Sequence, residues 1–202
     1  MLNLTEEQKA RLAGVRRFVK EVIAPQSAEV DQRQEFPMEL KEEMADQGLF
    51  RLIIPKSYGG MELNLTDLCL VIEEVSRFDA SMGVTIQGHA TALRPLLLAA
   101  SPELKGEIFP VVVEKKKTIG FAITESNAGS DSSAIQTSAV LQDGNYILNG
   151  SKCFITSGGI VDYYLIYAVT SPEKRYAGIS AFIVDGTSKG FSIGKKESKM
   201  GI

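Results

Sequence analysis

The sequence contains no tryptophan, one histidine and two cysteines among 202 residues. A single histidine, His89, rules out a clustered-histidine metal site and leaves little room for a histidine-based triad. Read by itself it is a hydrogen-bonded histidine on a helix face, with a place in a pocket wall as the second reading. Cys69 and Cys153 provide neither a disulfide framework nor a metal set. Cys69 falls in an apolar helical stretch and reads as core. Cys153 reads as a small packing residue, because nothing nearby marks it as an activated thiol. No apolar run reaches the roughly 18 residues of a membrane-spanning helix. The chain also lacks a basic excess: its formal net charge is −3, which argues against a nucleic-acid footprint. Its one basic run, Lys115-Lys116-Lys117, lies at an expected helix end, where lysines meet solvent and the helix dipole. The start, Met1-Leu2-Asn3-Leu4-Thr5-Glu6-Glu7, has the pattern of neither a signal nor a transit peptide. The expected location is the cytoplasm, or the mitochondrial matrix for a mature organellar chain.

What is present changes character near residue 117. Before it the pattern is helical. Thr5-Glu6-Glu7-Gln8 is a capping box, followed by Leu12, Val15, Val19, Val22 and Ile23 at helical spacing. Pro37 opens a second helix that Gly48 closes. Thr66 is the expected cap of a third, with Leu68, Val71, Ile72 and Val75 on one face. Asp79 caps a fourth, and Ser101-Pro102-Glu103 starts a fifth. After residue 117 the expected elements are strands at 118–121, 137–141, 146–148, 153–156, 163–169 and 179–184. Asp143-Gly144 and Asn149-Gly150 are tight-turn signals between some of them. The expected fold is α+β and multidomain: an all-α domain over 1–117, then a β-barrel or sandwich domain over 118–202.

The most specific stretch is Ala122 to Ala134, AITESNAGSDSSA. It follows the first expected strand. Gly129 can take positive φ and let the chain turn sharply. Asn127, Ser130 and Asp131 favour turns that expose successive backbone N–H groups, a concave donor set suited to a phosphate. Thr124, placed at the strand's last position, can offer an amide and a hydroxyl to a carbonyl on a planar ring. Taken alone, a Gly-Ser-Asp turn capping the next element is the commoner role. Glu125 and Asp131 read as a solvated charge and a turn-forming residue rather than as a catalytic pair. One hairpin later comes Lys152-Cys153-Phe154-Ile155-Thr156. Phe154 has a flat face that can cover one side of an aromatic cofactor; on sequence alone a sandwich-core phenylalanine is the better reading.

The Ala122–Ala134 run resembles the first signature of the flavin-dependent acyl-CoA dehydrogenases. Phe154-Ile155-Thr156 resembles that family's second flavin-contacting strand, with Tyr146–Lys152 as its hairpin. Gly178–Val184 and Lys199-Met200-Gly201-Ile202 are similar to later family segments. Pro55–Gly60 and Glu73-Glu74-Val75-Ser76-Arg77 are similar to stretches of its helical domain. The resemblance implies FAD as cofactor, held by Phe121, Ile123, Thr124, Gly129, Ser130, Phe154, Ile155 and Thr156, with Ser130 also near the pantetheine of the substrate. Phe154 departs from the tryptophan common in the family.

The implied reaction is α,β-dehydrogenation of an acyl-CoA thioester to a trans-2-enoyl-CoA in fatty acid metabolism, with electrons passed to an electron-transferring flavoprotein. The resemblance further implies a homo-oligomer, tetramer or dimer, and an apolar acyl pocket among the helices, for which Val84 to Pro95 is the candidate for part of the wall. It places the catalytic base on a C-terminal helical bundle that these residues do not include. No residue of this chain is therefore assigned as catalytic, and a longer natural chain is expected. Two further readings remain open at this point. One is a related flavoenzyme of the acyl-CoA oxidase or nitroalkane oxidase type. The other is a non-catalytic protein that binds acyl-CoA or a partner.

Overall fold

The computed structural model describes residues 3–202. The chain divides into two compact units, one running to Lys117 and including Ser198–Ile202, the other Thr118–Glu197.

The first unit is helical. α1 (Glu6–Phe18) opens with the expected capping box, in which Thr5 accepts from the Gln8 amide and Gln8 reaches back to the Thr5 amide. A π turn at Val19–Ile23 then leads directly into α2 (Ala24–Arg33). The sequence pattern marks no boundary here. The widening has a local cause: Pro25 has no N–H to give and crowds the carbonyl four residues back. α3 (Met38–Asp46) ends where Gly48 turns left-handed at φ 77°. α4 (Leu65–Ser76) is capped by Asn64, whose side chain accepts from the Asp67 amide at 2.9 Å; Thr66 lies inside the first turn, not at the cap. α5 (Ala80–Ala99) and α6 (Pro102–Glu114) begin at Asp79 and Ser101, as their cap chemistry requires.

The core of this unit gathers Val19, Ile23, Leu40, Met44, Val71, Val75, Met82 and Ile86, each at most 1% exposed. Cys69 is exposed. The buried positions of α4 are Asp67, Leu68, Val71, Glu74 and Val75, so a residue one step past Leu68 turns away from the core. α1 and α4 are also joined by a fork: Arg16 Nε and Nη2 donate to the two Glu74 carboxylate oxygens at 2.8 Å each. That hydrogen bonding holds the Glu74 carboxyl below its ordinary range against the opposing effect of burial.

The Asp79 cap carries a clean prediction. Its Oδ1 accepts from the Met82 amide at 3.0 Å and its Oδ2 accepts from the Ser27 hydroxyl at 2.9 Å. Asp79→Ala is expected to cost about 1–2 kcal/mol in a chemical denaturation curve followed by circular dichroism, and Asp79→Asn to restore most of it.

The second unit is built on one mixed five-stranded sheet. β1 (Ile119–Ala122) runs parallel to β4 (Tyr163–Val169), which pairs antiparallel along its whole length with β5 (Ile179–Asp185). β2 (Ser138–Gln142) and β3 (Asn145–Asn149) form a hairpin, joined to β4 through Ser138 and Val169. Asp143 and Gly144 both take positive φ, 49° and 79°, which gives the primed turn that suits the strand twist. Asn149-Gly150 is not a second hairpin turn. Gly150 sits where a Cβ would come within 2.3 Å of Thr137 Oγ1, so glycine is needed for close approach. Ile119 and Leu165 on one face of the sheet and Tyr164 and Ala168 on the other are all buried. The helical first half and β second half make the α+β, multidomain architecture expected from the sequence.

Among the described residues, no helix is long and apolar enough to cross a membrane. Nor, among those residues, is any group of three or more His, Cys, Asp and Glu side chains placed to hold a metal ion.

Candidate functional site

The loop after β1 folds on itself. Ala128 donates its amide to Glu125 O at 3.1 Å, and Glu125 donates its own to Ala128 O at 3.0 Å, closing a tight turn around Ser126-Asn127. Asn127 Nδ2 donates to Ala134 O at 2.9 Å. Asp131 Oδ1 accepts from the Ser133 amide at 3.1 Å and its hydroxyl at 2.5 Å, the turn-forming role expected of it. Gly129 does not supply the turn. Its φ lies outside the left-handed region, and a Cβ built on it would meet nothing within 4 Å.

Glu125 departs most from the sequence reading. It is buried at 6% exposure rather than solvated. Its carboxylate accepts from the Gln136 amide at 2.6 Å, the Thr137 amide at 2.9 Å and the Thr137 hydroxyl at 2.5 Å. Lys152 Nζ donates to Glu125 Oε1 at 2.7 Å and to Ile123 O at 3.0 Å. Burial alone would push this carboxyl up; the lysine, the threonine hydroxyl and the two amides outweigh it and bring its pKa to about 2. Such a group is a fixed anion at neutral pH and cannot serve as a general base.

The segment after β3 lies beside this loop. Cys153 donates its amide to Thr124 O at 2.9 Å. The expected strand at Cys153–Thr156 does not form: these residues make no ladder, and Phe154 takes a left-handed φ of 56°. That conformation is unusual for a bulky residue and costs on the order of 1–3 kcal/mol. It turns the Phe154 ring outward to 74% exposure. Thr124 likewise lies two residues past the end of β1 rather than on it.

The remaining candidates fall into place around this pair of segments. Phe121, on β1, packs its ring against Tyr167 at 5.3 Å between centroids. Ile123 and Thr124 give their carbonyls to Lys152 and Cys153. The Ile155 carbonyl accepts from the Gly158 amide at 3.0 Å. The amides and hydroxyls of Thr124, Ser130 and Thr156 take part in no hydrogen bond among the described residues. The side chains of Glu125, Asn127 and Asp131 are taken up by contacts within the chain, while the amide and hydroxyl donors of Thr124, Ser130 and Thr156 are not.

This donor set suits a phosphate-bearing flavin in chemistry: hydroxyl and amide donors, an open backbone approach at Gly129 and an exposed aromatic face at Phe154. Sequence reasoning named these residues as candidates, read Glu125 as a solvated charge and gave Lys152 no role, whereas the two are paired in the structure. The one available signal was a Glu next to Thr124 and a Lys two residues before Phe154.

The candidate wall at Val84–Pro95 lies on α5. Thr85 and His89 are buried there. Thr85 donates its hydroxyl to Ser81 O at 2.9 Å. His89 Nε2 donates to Phe50 O at 2.9 Å, and its ring meets Phe50 edge-on. Both therefore serve the interior of the helical unit. Gln87 and Thr91 pair with one another at 2.8 Å.

Comparison with known proteins agrees with this layout. Residues 5–116 match the acyl-CoA dehydrogenase N-terminal domain, and residues 120–202 match the acyl-CoA dehydrogenase middle domain. A short-chain-specific acyl-CoA dehydrogenase from Clostridium acetobutylicum is 39% identical over 99% of this chain and 53% of its own length. The structure of butyryl-CoA dehydrogenase from Megasphaera elsdenii superposes with a TM-score of 0.91 at 35% identity, over 100% of this chain and 54% of that one. A FAD complex of PigA superposes with a TM-score of 0.89 at 30% identity, over 98% of this chain and 53% of that one. The chain thus spans about half the length of the curated relatives it matches. Matched through both domains, the chain belongs to the acyl-CoA dehydrogenase family.

Proposed function

We propose that the polypeptide carrying this chain is a FAD-dependent acyl-CoA dehydrogenase that converts an acyl-CoA thioester to a trans-2-enoyl-CoA and passes the electrons to an electron-transferring flavoprotein. The observation that carries this reading is the placement of the Thr124, Ser130 and Thr156 donors on two segments joined side by side by the Cys153–Thr124 hydrogen bond. FAD, when bound, supplies the hydride acceptor. Phe121, Ile123 and Ile155 give an apolar bed for a planar ring, and the Phe154 face covers it. Thr124 and Thr156 donate to its polar edge. Gly129 and Ser130 receive a phosphate by close backbone approach and a hydroxyl, and Ser130 also borders the thioester's pantetheine. Short acyl chains are the proposed substrates, supported by the names of the Clostridium and Megasphaera relatives.

The test is made on the natural polypeptide, purified and mixed without oxygen with butyryl-, octanoyl- and palmitoyl-CoA. A yellow protein whose visible flavin band bleaches, fastest with butyryl-CoA, is the expected result. A colourless protein that takes up no added FAD would overturn the reading. Peroxide formed in proportion to product under air would assign an oxidase instead.

A further inference from the structure

We propose that Glu125 and Lys152 are positioning residues for the flavin: their buried ion pair sets the spacing between the Thr124 donor and the Ile155–Thr156 donors. The inference rests on the flavin reading above. Its ground is where the sheet stops. β1 ends at Ala122, β2 begins at Ser138 and β3 ends at Asn149. Every candidate contact except Phe121 lies beyond those ends, where no ladder hydrogen bonds fix the backbone. The polar cluster does that work instead. Lys152 Nζ reaches Ile123 O and Glu125 Oε1, at 3.0 and 2.7 Å, and Glu125 in turn holds the amides of Gln136 and Thr137. One carboxylate and one ammonium thereby tie three chain segments together. Their side chains are only 5% and 9% exposed, respectively.

A role in stability alone does not account for this choice of residues. Buried ion pairs add little net stability over apolar side chains of the same volume, and their best-attested use is to fix one arrangement among several. Both members also lie close in sequence to the donors: Glu125 follows Thr124, and Lys152 stands three residues before Ile155. A shift of about 1 Å at either would carry a donor out of hydrogen-bond range.

The experiment compares wild type with K152M, K152R and E125Q in the natural polypeptide. It reads FAD dissociation constant, flavin midpoint potential and visible band shape, at a temperature where circular dichroism shows each variant folded. K152M is expected to weaken FAD binding about 10- to 100-fold, the size seen when outer partners of a bound group are removed. It should also shift the potential and band shape. K152R should recover most of the affinity, and E125Q should fall between. If K152M does not fold, E125Q and K152R decide on the same readouts. Variants that melt earlier but bind FAD with unchanged affinity, potential and spectrum would overturn the positioning role while leaving the flavin reading intact. A wild type that binds no FAD would overturn both.

Discussion

Glu125→Ala is expected to destabilise the second unit by about 3–5 kcal/mol, the cost of leaving one member of a buried ion pair without the other. The substitution strips Lys152 of its counterion and leaves the amides of Gln136 and Thr137 without their acceptor. Chemical denaturation followed by circular dichroism measures it. Glu125→Gln keeps the volume and one acceptor oxygen, so a smaller loss is expected. Adding Lys152→Met to Glu125→Gln should recover part of that loss, since no unpaired charge then remains. A cost below about 1 kcal/mol for Glu125→Ala would mean that solvent reaches the pair freely.

The same group gives the unit an acid sensitivity with a defined sign. The folded-state pKa is lowered from 4.5 to about 2. The deprotonated form is therefore the one the fold favours. Its contribution, about 3 kcal/mol for a shift of that size, is complete above the unfolded value near 4.5 and is lost as pH falls toward 2. Wild type should lose stability across that window, and Glu125→Gln should lack this component of the loss.

How much of this was legible in the sequence follows from the range of the forces involved. Helix starts depend on local chemistry, so Thr5, Asp79 and Ser101 were readable, and Asp143-Gly144 fixed its hairpin for the same reason. Asn64 and Thr66 are both competent caps two residues apart, and only the backbone path decides between them. The segment at 153–156 has strand composition, but a strand needs a ladder partner, and the chain diverges once Gly150 has passed Thr137. Glu125 was misread because its neighbours in sequence are polar. Its partners lie 11, 12 and 27 residues away, and no local pattern announces them. The family resemblance picked out the candidate contacts without revealing what braces them.

Gly129→Leu should separate folding from binding more sharply than any other single change. Glycine at a turn is normally explained by positive φ or by crowding, and neither applies to Gly129. Its φ lies outside the left-handed region, nothing stands within 4 Å of a built Cβ, and the residue is exposed. Within the fold, a side chain there should change stability by no more than about 0.5 kcal/mol, as at other unconstrained surface positions. Shortening the unfolded chain's freedom could even offset that. If the backbone at Gly129 and Ser130 receives a phosphate of FAD, the leucine side chain occupies the path of approach and removes one or more charge-assisted hydrogen bonds. Each is worth about 1.5–3 kcal/mol, so affinity for FAD should fall roughly 10- to 100-fold or more. The paired measurement is a denaturation midpoint and an FAD titration on the same preparation. An unchanged midpoint with lost affinity assigns the glycine to the ligand. Unchanged affinity would move the phosphate elsewhere on the unit, and a lowered midpoint would return the glycine to the fold.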